Sequence, residues 1–176
     1  MNIIIDGYNL IRQSDSLRHF ERQGLEEGRT ELIRRIIQFK KARRHRITIV
    51  FDGWEHGSDR EERYKEGGIT IIFSRRGETA DDVIKRMVTR GAECLVVTSD
   101  RGIADAVTRH GGVAVSSVEF DMKLHMISLG MSAPHEAAGE DETRAADDTR
   151  GTTKKKGPAK RLPKKKRRQA ARLRKL

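Results

Sequence analysis

The sequence is poor in residues that cross-link or rigidify a chain: it has one cysteine, Cys94, and three prolines, all of them after residue 133. A single cysteine cannot form a disulfide within the chain, and six scattered histidines without a cysteine cluster argue against a structural zinc site. Because Cys94 opens an apolar run, it is predicted to be a buried structural thiol rather than a nucleophile.

Long apolar segments are also missing. No run approaches the roughly 18 residues that are needed to span a bilayer, and the amino terminus, MNIIIDG, lacks the basic segment and long apolar core of a secretory signal. The phosphate-binding loop GxxxxGK[ST], the dinucleotide fingerprint GxGxxG and the nucleophile elbow GxSxG are absent as well. The single cysteine, the missing apolar spans and the missing signal predict a cytoplasmic protein that is not bound to a membrane, and the missing motifs argue against the functions that depend on them.

Positive charge is concentrated at the carboxyl terminus. Of the 37 lysines and arginines, 13 lie in residues 151–176, where there is no acidic residue, and the other 24 are outnumbered by the 26 acidic residues. We therefore predict a folded domain over residues 1–130, an acidic flexible linker over 131–153 and a disordered polybasic tail over 154–176. The tail is interpreted as an RNA- or ribosome-binding arm; a purely solubilising tail, a membrane contact and a nuclear address are the alternatives.

Short β-branched runs alternate with segments whose apolar residues recur at helical spacing. The runs 2–5, 47–51, 69–73, 94–98 and 113–115 are predicted strands. The segments 26–44, 79–90, 101–109 and 118–129 are predicted helices, with a loop or short helix between residues 53 and 67. These runs are almost wholly apolar, which is typical of strands in a parallel sheet covered on both faces. The pattern predicts an α/β fold in three layers, with a parallel central sheet between helices.

Carboxylates recur where these strands end. Asp6 ends the first strand, Asp52 follows the second, Asp81 and Asp82 follow the third, and Asp100 follows the fourth. Ligands of an open parallel sheet bind beyond the carboxyl ends of its strands, so these side chains are expected to converge. Such a cluster repels itself unless a cation neutralises it, and an all-oxygen donor set suits Mg²⁺ or Mn²⁺. This indicates metal-dependent cleavage of a phosphodiester by activated water, or another metal-dependent phosphotransfer chemistry.

Each aspartate also has a simpler interpretation. A single aspartate after a strand is commonly a turn residue or a helix cap. Asp82 is the weakest candidate because adjacent helix residues point about 100° apart, so that Asp81 and Asp82 cannot easily enter one site.

Four motifs in order carry a family resemblance: DGYN at 6–9, VFDG at 50–53, GETADDVI at 77–84 and VVTSDRG at 96–102. They resemble the YacP-like branch of the NYN domains, which are PIN-like ribonucleases, over about residues 1–130. The resemblance implies a metal-dependent endoribonuclease in which Asp6, Asp81 and Asp100 hold the metal and Asp52 supports them, while Asn9 orients a ligand or water. One bacterial group of the family acts on messenger RNA at the ribosome; the acidic linker and polybasic end of this chain depart from the helical continuation of such relatives.

Further residues are candidates for substrate contacts. Arg75 and Arg76 precede the GETADD loop, where guanidinium groups can grip phosphates. Tyr8, Trp54 and Tyr64 are candidates for base stacking, although core packing explains Tyr8 equally well. Ser99 is a secondary candidate. Five cations between residues 40 and 46 are interpreted as a solvated face with favourable helix-dipole placement.

The leading hypothesis is thus a cytoplasmic, metal-dependent endoribonuclease that acts on single-stranded or messenger RNA. A non-catalytic RNA-binding or ribosome-associated factor is the rival from another class, and a DNA-directed nuclease is the third candidate. The sequence does not define an oligomeric state.

Overall fold

A six-stranded, mostly parallel sheet forms the centre of the computed structural model, which describes residues 1–53, 59–90, 94–129 and 171. In chain order the elements are β1 (Asn2–Asp6), α1 (Gly7–Gln13), α2 (Asp15–Glu21), α3 (Leu25–Ala42), β2 (Arg46–Phe51), β3 (Glu62–Glu66), β4 (Ile69–Phe73), α4 (Ala80–Arg90), β5 (Cys94–Val97), α5 (Arg101–Arg109), β6 (Val113–Val115) and α6 (Ser117–Ser128). The strand order is β3-β4-β2-β1-β5-β6, and every neighbouring pair is parallel except β3 with β4.

The sheet is buried on both faces because its central strands are apolar at consecutive positions. Ile3 and Ile5 of β1 pack with the apolar sides of α1, α2, α3 and α6, whereas Ile4 points to the opposite cluster with α4 and α5. Alternate side chains of a strand point to opposite faces, so a strand that is apolar throughout supplies two cores at once. The predicted three-layer α/β fold is confirmed.

Three elements differ from the prediction. The segment between residues 53 and 67, predicted as a loop or short helix, contains strand β3, and residues 7–21, for which no helix was predicted, form α1 and α2. All five residues of β3 are exposed, because β3 is an antiparallel strand at the edge of the sheet and needs no apolar residues. Helices α1 and α2 have seven residues each, too few for an apolar periodicity to be recognised in the sequence.

A tight turn joins β3 to β4. Gly67 and Gly68 both have positive φ angles, 54° and 81°, which glycine adopts without strain. A Cβ atom on Gly67 would lie 2.5 Å from the Ile37 side chain, and one on Gly68 would lie 2.8 Å from Lys40 Cε. The turn therefore packs closely against the last turns of α3.

Cys94 is buried at the start of β5, as expected of a structural thiol. None of the helices in the described part of the chain has the length and apolar composition of a membrane-spanning segment. The predicted linker and polybasic tail, and Trp54, lie outside the described residues, apart from Ala171.

Candidate active site

A pocket of about 530 Å³ opens at the edge of the sheet where the parallel strands end. Its lining includes four carboxylates from four different connections: Asp6, Asp52, Asp81 and Asp100. The other lining residues are Tyr8, Asn9, Arg12, Gln13, Leu25, Thr79 and Ala80. The structure thus places the four aspartates around one concave site, although they are up to 94 positions apart in the sequence.

Asp6 occupies the innermost position of the carboxylates. It is the last residue of β1 and only 7% exposed. Its Oδ1 accepts a hydrogen bond from the backbone N–H of Asn9 at 3.3 Å and so caps α1, and its Oδ2 accepts one from the Thr98 hydroxyl at 3.1 Å. Asp6 is therefore both the N-cap of α1 and a residue of the candidate site, so the two interpretations of this aspartate do not exclude each other.

Asp100 repeats this arrangement on the neighbouring connection. Its Oδ1 accepts from the backbone N–H of Ile103 at 2.8 Å and caps α5, while its own N–H donates to Thr98 Oγ1 at 3.1 Å. Thr98, which is buried just after β5, consequently bonds both to Asp6 and to Asp100. This hydroxyl fixes the two connections relative to each other.

The other two carboxylates come from the connections that follow β2 and β4. Asp52 follows β2, and its Oδ1 accepts a hydrogen bond from the Ser74 hydroxyl at 3.3 Å. Asp81 is the second residue of α4 and lies 3.6 Å from the Lys85 ammonium through its Oδ2.

Burial and mutual repulsion disfavour the charged forms of two of these groups. Burial raises the pKa of Asp6 to about 6, and the charges of Asp81 and Asp100 act in the same direction, against the hydrogen bonds from Asn9 and Thr98. Burial also raises the pKa of Asp81, Asp100 adds to this effect, and Lys85 opposes it. The three carboxylates are therefore close enough to destabilise one another electrostatically, as expected of a site built to receive positive charge.

Asp82 has a different environment from Asp81. Its Oδ2 accepts from the backbone N–H and the hydroxyl of Thr79 at 3.2 and 2.8 Å, while the N–H of Asp82 donates to Thr79 Oγ1 at 3.2 Å. This reciprocal pair is a capping box at the start of α4, and it lowers the pKa of the exposed Asp82 carboxyl. Asp82 does not line the pocket.

The side chains of Asn9 and Ser99 form hydrogen bonds with other residues of the domain. Asn9 Oδ1 accepts from the backbone N–H of Ser99 at 2.9 Å and from the hydroxyl of the buried Ser117 at 2.7 Å. The Ser99 hydroxyl in turn accepts from the N–H of Ser117 at 3.1 Å. These bonds connect α1, the connection that carries Asp100 and the start of α6; Ser117 was not anticipated from the sequence.

Two arginines near Tyr8 were also missed. Arg12 stacks over the Tyr8 ring at 5.5 Å and, among the described residues that line the pocket, is the only cation. Arg29 is 8% exposed and donates to the Tyr8 hydroxyl at 3.1 Å. Arg29 could have been found, because it shares the apolar face of α3 with Leu32, Ile33 and Ile36 at helical spacing. Arg12 was missed because α1 was not predicted; in this helix Arg12 lies one turn after Tyr8.

The remaining candidates for substrate contacts lie outside the pocket lining. Arg75 pairs with Glu78 at 3.2 Å, and Arg76 is exposed beside it. Tyr64 is 43% exposed on β3, stacked on Phe73 at 6.3 Å, and lines a separate cavity between β3 and α3. Their roles stay predictions.

The donor set of the pocket suits a hard divalent cation, since its ionisable side chains other than Tyr8 and Arg12 are carboxylates. In the described part of the chain, no three His, Cys, Asp or Glu side chains are arranged so as to enclose an ion by themselves. Mg²⁺ does not need such an enclosure, because it usually keeps several waters and binds proteins through one or two carboxylates. The residues present therefore fit a hydrated Mg²⁺ or Mn²⁺.

A mostly parallel sheet with a carboxylate-lined pocket beyond its strand ends defines an α/β domain with a candidate site for a hard cation. The family model of the YacP-like NYN domain matches residues 3–175, and the chain belongs to this family of the PIN-like nuclease superfamily. The match extends past residue 130, the predicted limit of the resemblance, and includes the polybasic segment.

Known relatives agree with this membership. Protein YacP of Bacillus subtilis (strain 168) is 26% identical over 121 residues, which cover 66% of this chain and 71% of the relative. The crystal structure of Rae1 (YacP) from Bacillus subtilis superposes with a TM-score of 0.61 at 24% identity and covers 74% of this chain and 77% of that one. A second crystal structure, of a point mutant of the same protein, gives the same values. These structures establish the similarity of fold.

Proposed function

We propose that the protein is a metal-dependent endoribonuclease. The observation that carries the proposal is the convergence of Asp6, Asp52, Asp81 and Asp100 on one pocket of a domain that belongs to a nuclease family. Asp6, Asp81 and Asp100 would hold a hydrated Mg²⁺ or Mn²⁺, one or two of them through a carboxylate oxygen directly and the others through the waters of the ion. When bound, such an ion supplies positive charge to the attacked phosphate and makes water more acidic.

The chain's own residues supply orientation and charge. Thr98 holds the Asp6 carboxylate and the backbone of Asp100 in place, and Asp52 adds a further carboxylate to the wall of the pocket. Arg12 lies in the same lining, where its guanidinium would pair with an oxygen of the substrate phosphate. The Arg12 side chain is 65% exposed, so a polymer can reach it from solvent.

RNA is proposed as the substrate because of the family, since the pocket itself shows no base-reading module. The polybasic segment 154–176 would add sequence-independent attraction to the polyanion. We propose the ribosome as a partner, at which the protein would meet messenger RNA. We propose a cytoplasmic setting for this activity.

The deciding experiment compares two adjacent carboxylates. Labelled single-stranded RNA and DNA are incubated with the purified protein in Mg²⁺, in Mn²⁺ and in EDTA, using the wild type, Asp81→Asn and Asp82→Asn. We expect metal-dependent cutting of RNA that falls at least 100-fold in Asp81→Asn, on the order of the loss expected when a group acting on transition-state charge is removed. Asp82→Asn should cut at close to the wild-type rate, because Asp82 serves the helix cap.

Other results would contradict the proposal in distinct ways. Equal activity of Asp81→Asn and the wild type would rule out the assigned site. Tight RNA binding without cutting, also in the presence of translating ribosomes, would indicate the non-catalytic RNA-binding factor. Preferential cutting of DNA would indicate a DNA-directed nuclease.

A further inference from the structure

A group of cations lies where the parallel strands of the sheet begin, at the opposite end of the strands from the candidate active site. Helix α3 ends at Ala42 and β2 begins at Arg46, so this connection lies where the parallel strands start, whereas Asp52 follows the other end of β2. The cations are Lys40, Lys41, Arg43, Arg44 and Arg46, and we refer to them as the basic edge. With a rise of about 3.3 Å per residue, the length of β2 separates the basic edge from the aspartate pocket by about 20 Å.

The charges of the basic edge are not neutralised within the described part of the chain. The ion pairs found there involve eight other cations: Arg12, Arg18, Arg34, Arg35, Arg63, Arg75, Lys85 and Arg86. Lys41, Arg44 and Arg46 are exposed, and Lys40 donates to the carbonyl of His45 at 3.4 Å. The basic edge is thus a concentrated positive surface rather than half of a salt-bridge network.

The helix dipole explains only part of this cluster. Lys40 and Lys41 lie in the last turn of α3, where cations are favoured. Arg43, Arg44 and Arg46 follow the helix, and Arg46 is already the first residue of β2. Because the dipole effect decays beyond the last turn, it does not account for three of the five cations.

The aromatic residues near the basic edge indicate which form of a polyanion it suits. Phe39 is 1% exposed, and the half-buried His45 ring packs against it at 6.1 Å. Surfaces that bind single strands combine positive charge with exposed aromatic rings on which bases stack, whereas a double helix is held through its phosphates and sugars. Among the described residues, the basic edge offers charge without a stacking platform.

We propose that the basic edge is a second nucleic-acid-binding surface, which holds the backbone of a double-helical RNA segment. A single-stranded stretch of the same RNA would then reach the aspartate pocket at the other end of the parallel strands. The choice of RNA over DNA rests on the proposed function, but binding at the basic edge does not require cleavage.

The test measures binding of the full chain in EDTA, so that no cleavage occurs. Fluorescence anisotropy is recorded with an RNA hairpin of about 16 base pairs, a DNA duplex of equal length and an unstructured RNA, each over a series of salt concentrations. The variant Lys41→Gln/Arg44→Gln is compared with Lys65→Gln/Arg63→Gln, which removes one exposed lysine and one exposed arginine from β3 instead.

We expect Lys41→Gln/Arg44→Gln to bind the hairpin about 10-fold more weakly at moderate salt and to lower the slope of log K against log salt by about 2, or about 1 per cation removed. The control variant should change both quantities by less than half as much. Affinity for the unstructured RNA should fall by less than twofold, and cutting of a short single strand in Mn²⁺ should be unchanged.

Three results would overturn the inference. Equal effects of the two variants would show that only net charge matters. An equal loss of affinity for hairpin and unstructured RNA would exclude a surface for double helices. Binding of the DNA duplex as tightly as the RNA hairpin would show that the basic edge does not select RNA over DNA. Because binding is measured in EDTA, each of these results is distinguishable from an absence of nuclease activity.

Discussion

Asp6 combines two roles that oppose each other energetically. As the cap of α1 it accepts a backbone hydrogen bond, which stabilises the fold, but burial disfavours its charge and raises its pKa to about 6. An unfolded chain would ionise this carboxyl near pH 3.8. Between these values the folded protein retains a proton that the unfolded chain has released, so the free energy of unfolding decreases as the pH rises through this window.

We therefore expect Asp6→Asn to stabilise the metal-free protein at neutral pH. One pKa unit corresponds to about 1.4 kcal/mol, so the gain at pH 7.5 should be about 1–3 kcal/mol, and it should largely vanish near pH 3, where Asp6 is mostly protonated in both states. Denaturant unfolding in EDTA at the two pH values measures this difference. A loss of stability at pH 7.5 would show that the hydrogen bonds of the carboxylate outweigh its desolvation.

At the scale of the elements, α6 takes part in the site without lining it. Ser117, its first residue, bonds through its hydroxyl to Asn9 Oδ1 and through its N–H to Ser99 Oγ. Asn9 and Ser117 are 108 positions apart, and a pair of small polar residues has no sequence pattern that would reveal such a contact. Tertiary packing alone brings α6 to the connection that carries Asp100.

Ser117→Ala should disturb both the stability and the site. Removing a buried donor leaves Asn9 Oδ1 with one partner fewer, and we expect a loss of about 1–2 kcal/mol in the free energy of unfolding. Because Asn9 also binds the N–H of Ser99, next to Asp100, cleavage should slow several-fold in conditions where the variant is folded. Ser128→Ala, which removes an exposed hydroxyl from the other end of α6, is the control and should change stability by less than 0.5 kcal/mol.

Sequence patterns predicted the elements that depend on burial. Strand β5 is apolar throughout, β2 is apolar apart from Arg46 and Thr48, and α3 has a clear apolar face, so the existence of these elements followed from the residues. Strand β3 and helices α1 and α2 were missed, because an exposed edge strand carries charged residues and a seven-residue helix has too few turns for a periodic signal.

The candidate site was predictable to a similar extent. Strand topology brings Asp6, Asp52, Asp81 and Asp100 to one edge, and this could be argued from the strand ends alone. The hydrogen bonds of Thr98, Ser117 and Arg29 could not, since they depend on how the connections pack. Whether the four carboxylates bind metal stays a prediction.

At the scale of the whole molecule, charge is separated along the strands. Carboxylates line the pocket where the parallel strands end, and the basic edge lies where they begin. The last turn of α6 also lies near the basic edge, since Ser128 lines a cavity together with Lys41. The chain continues from there toward the polybasic residues, 13 cations within 151–176.

Removal of residues 151–176 should consequently weaken RNA binding and flatten its salt dependence. If most of the 13 cations contact phosphates, the slope of log K against log salt should decrease by about 5 or more, which is more than the double variant of the basic edge produces. Anisotropy over a salt series in EDTA measures the slope, and far-ultraviolet circular dichroism checks the fold of the shortened chain. An unchanged slope would assign the polybasic segment to a different task.

Strand β3 forms one exposed edge of the sheet. A sheet edge with free N–H and C=O groups can extend onto the sheet of another copy, which leads to aggregation. Four of the five residues of β3 are charged, and all five are exposed, so two such edges placed side by side would hold their charged side chains at close range. At the other margin β6 has only three residues. The charged, exposed β3 and the short β6 thus both disfavour extension of the sheet from one copy of the molecule to the next.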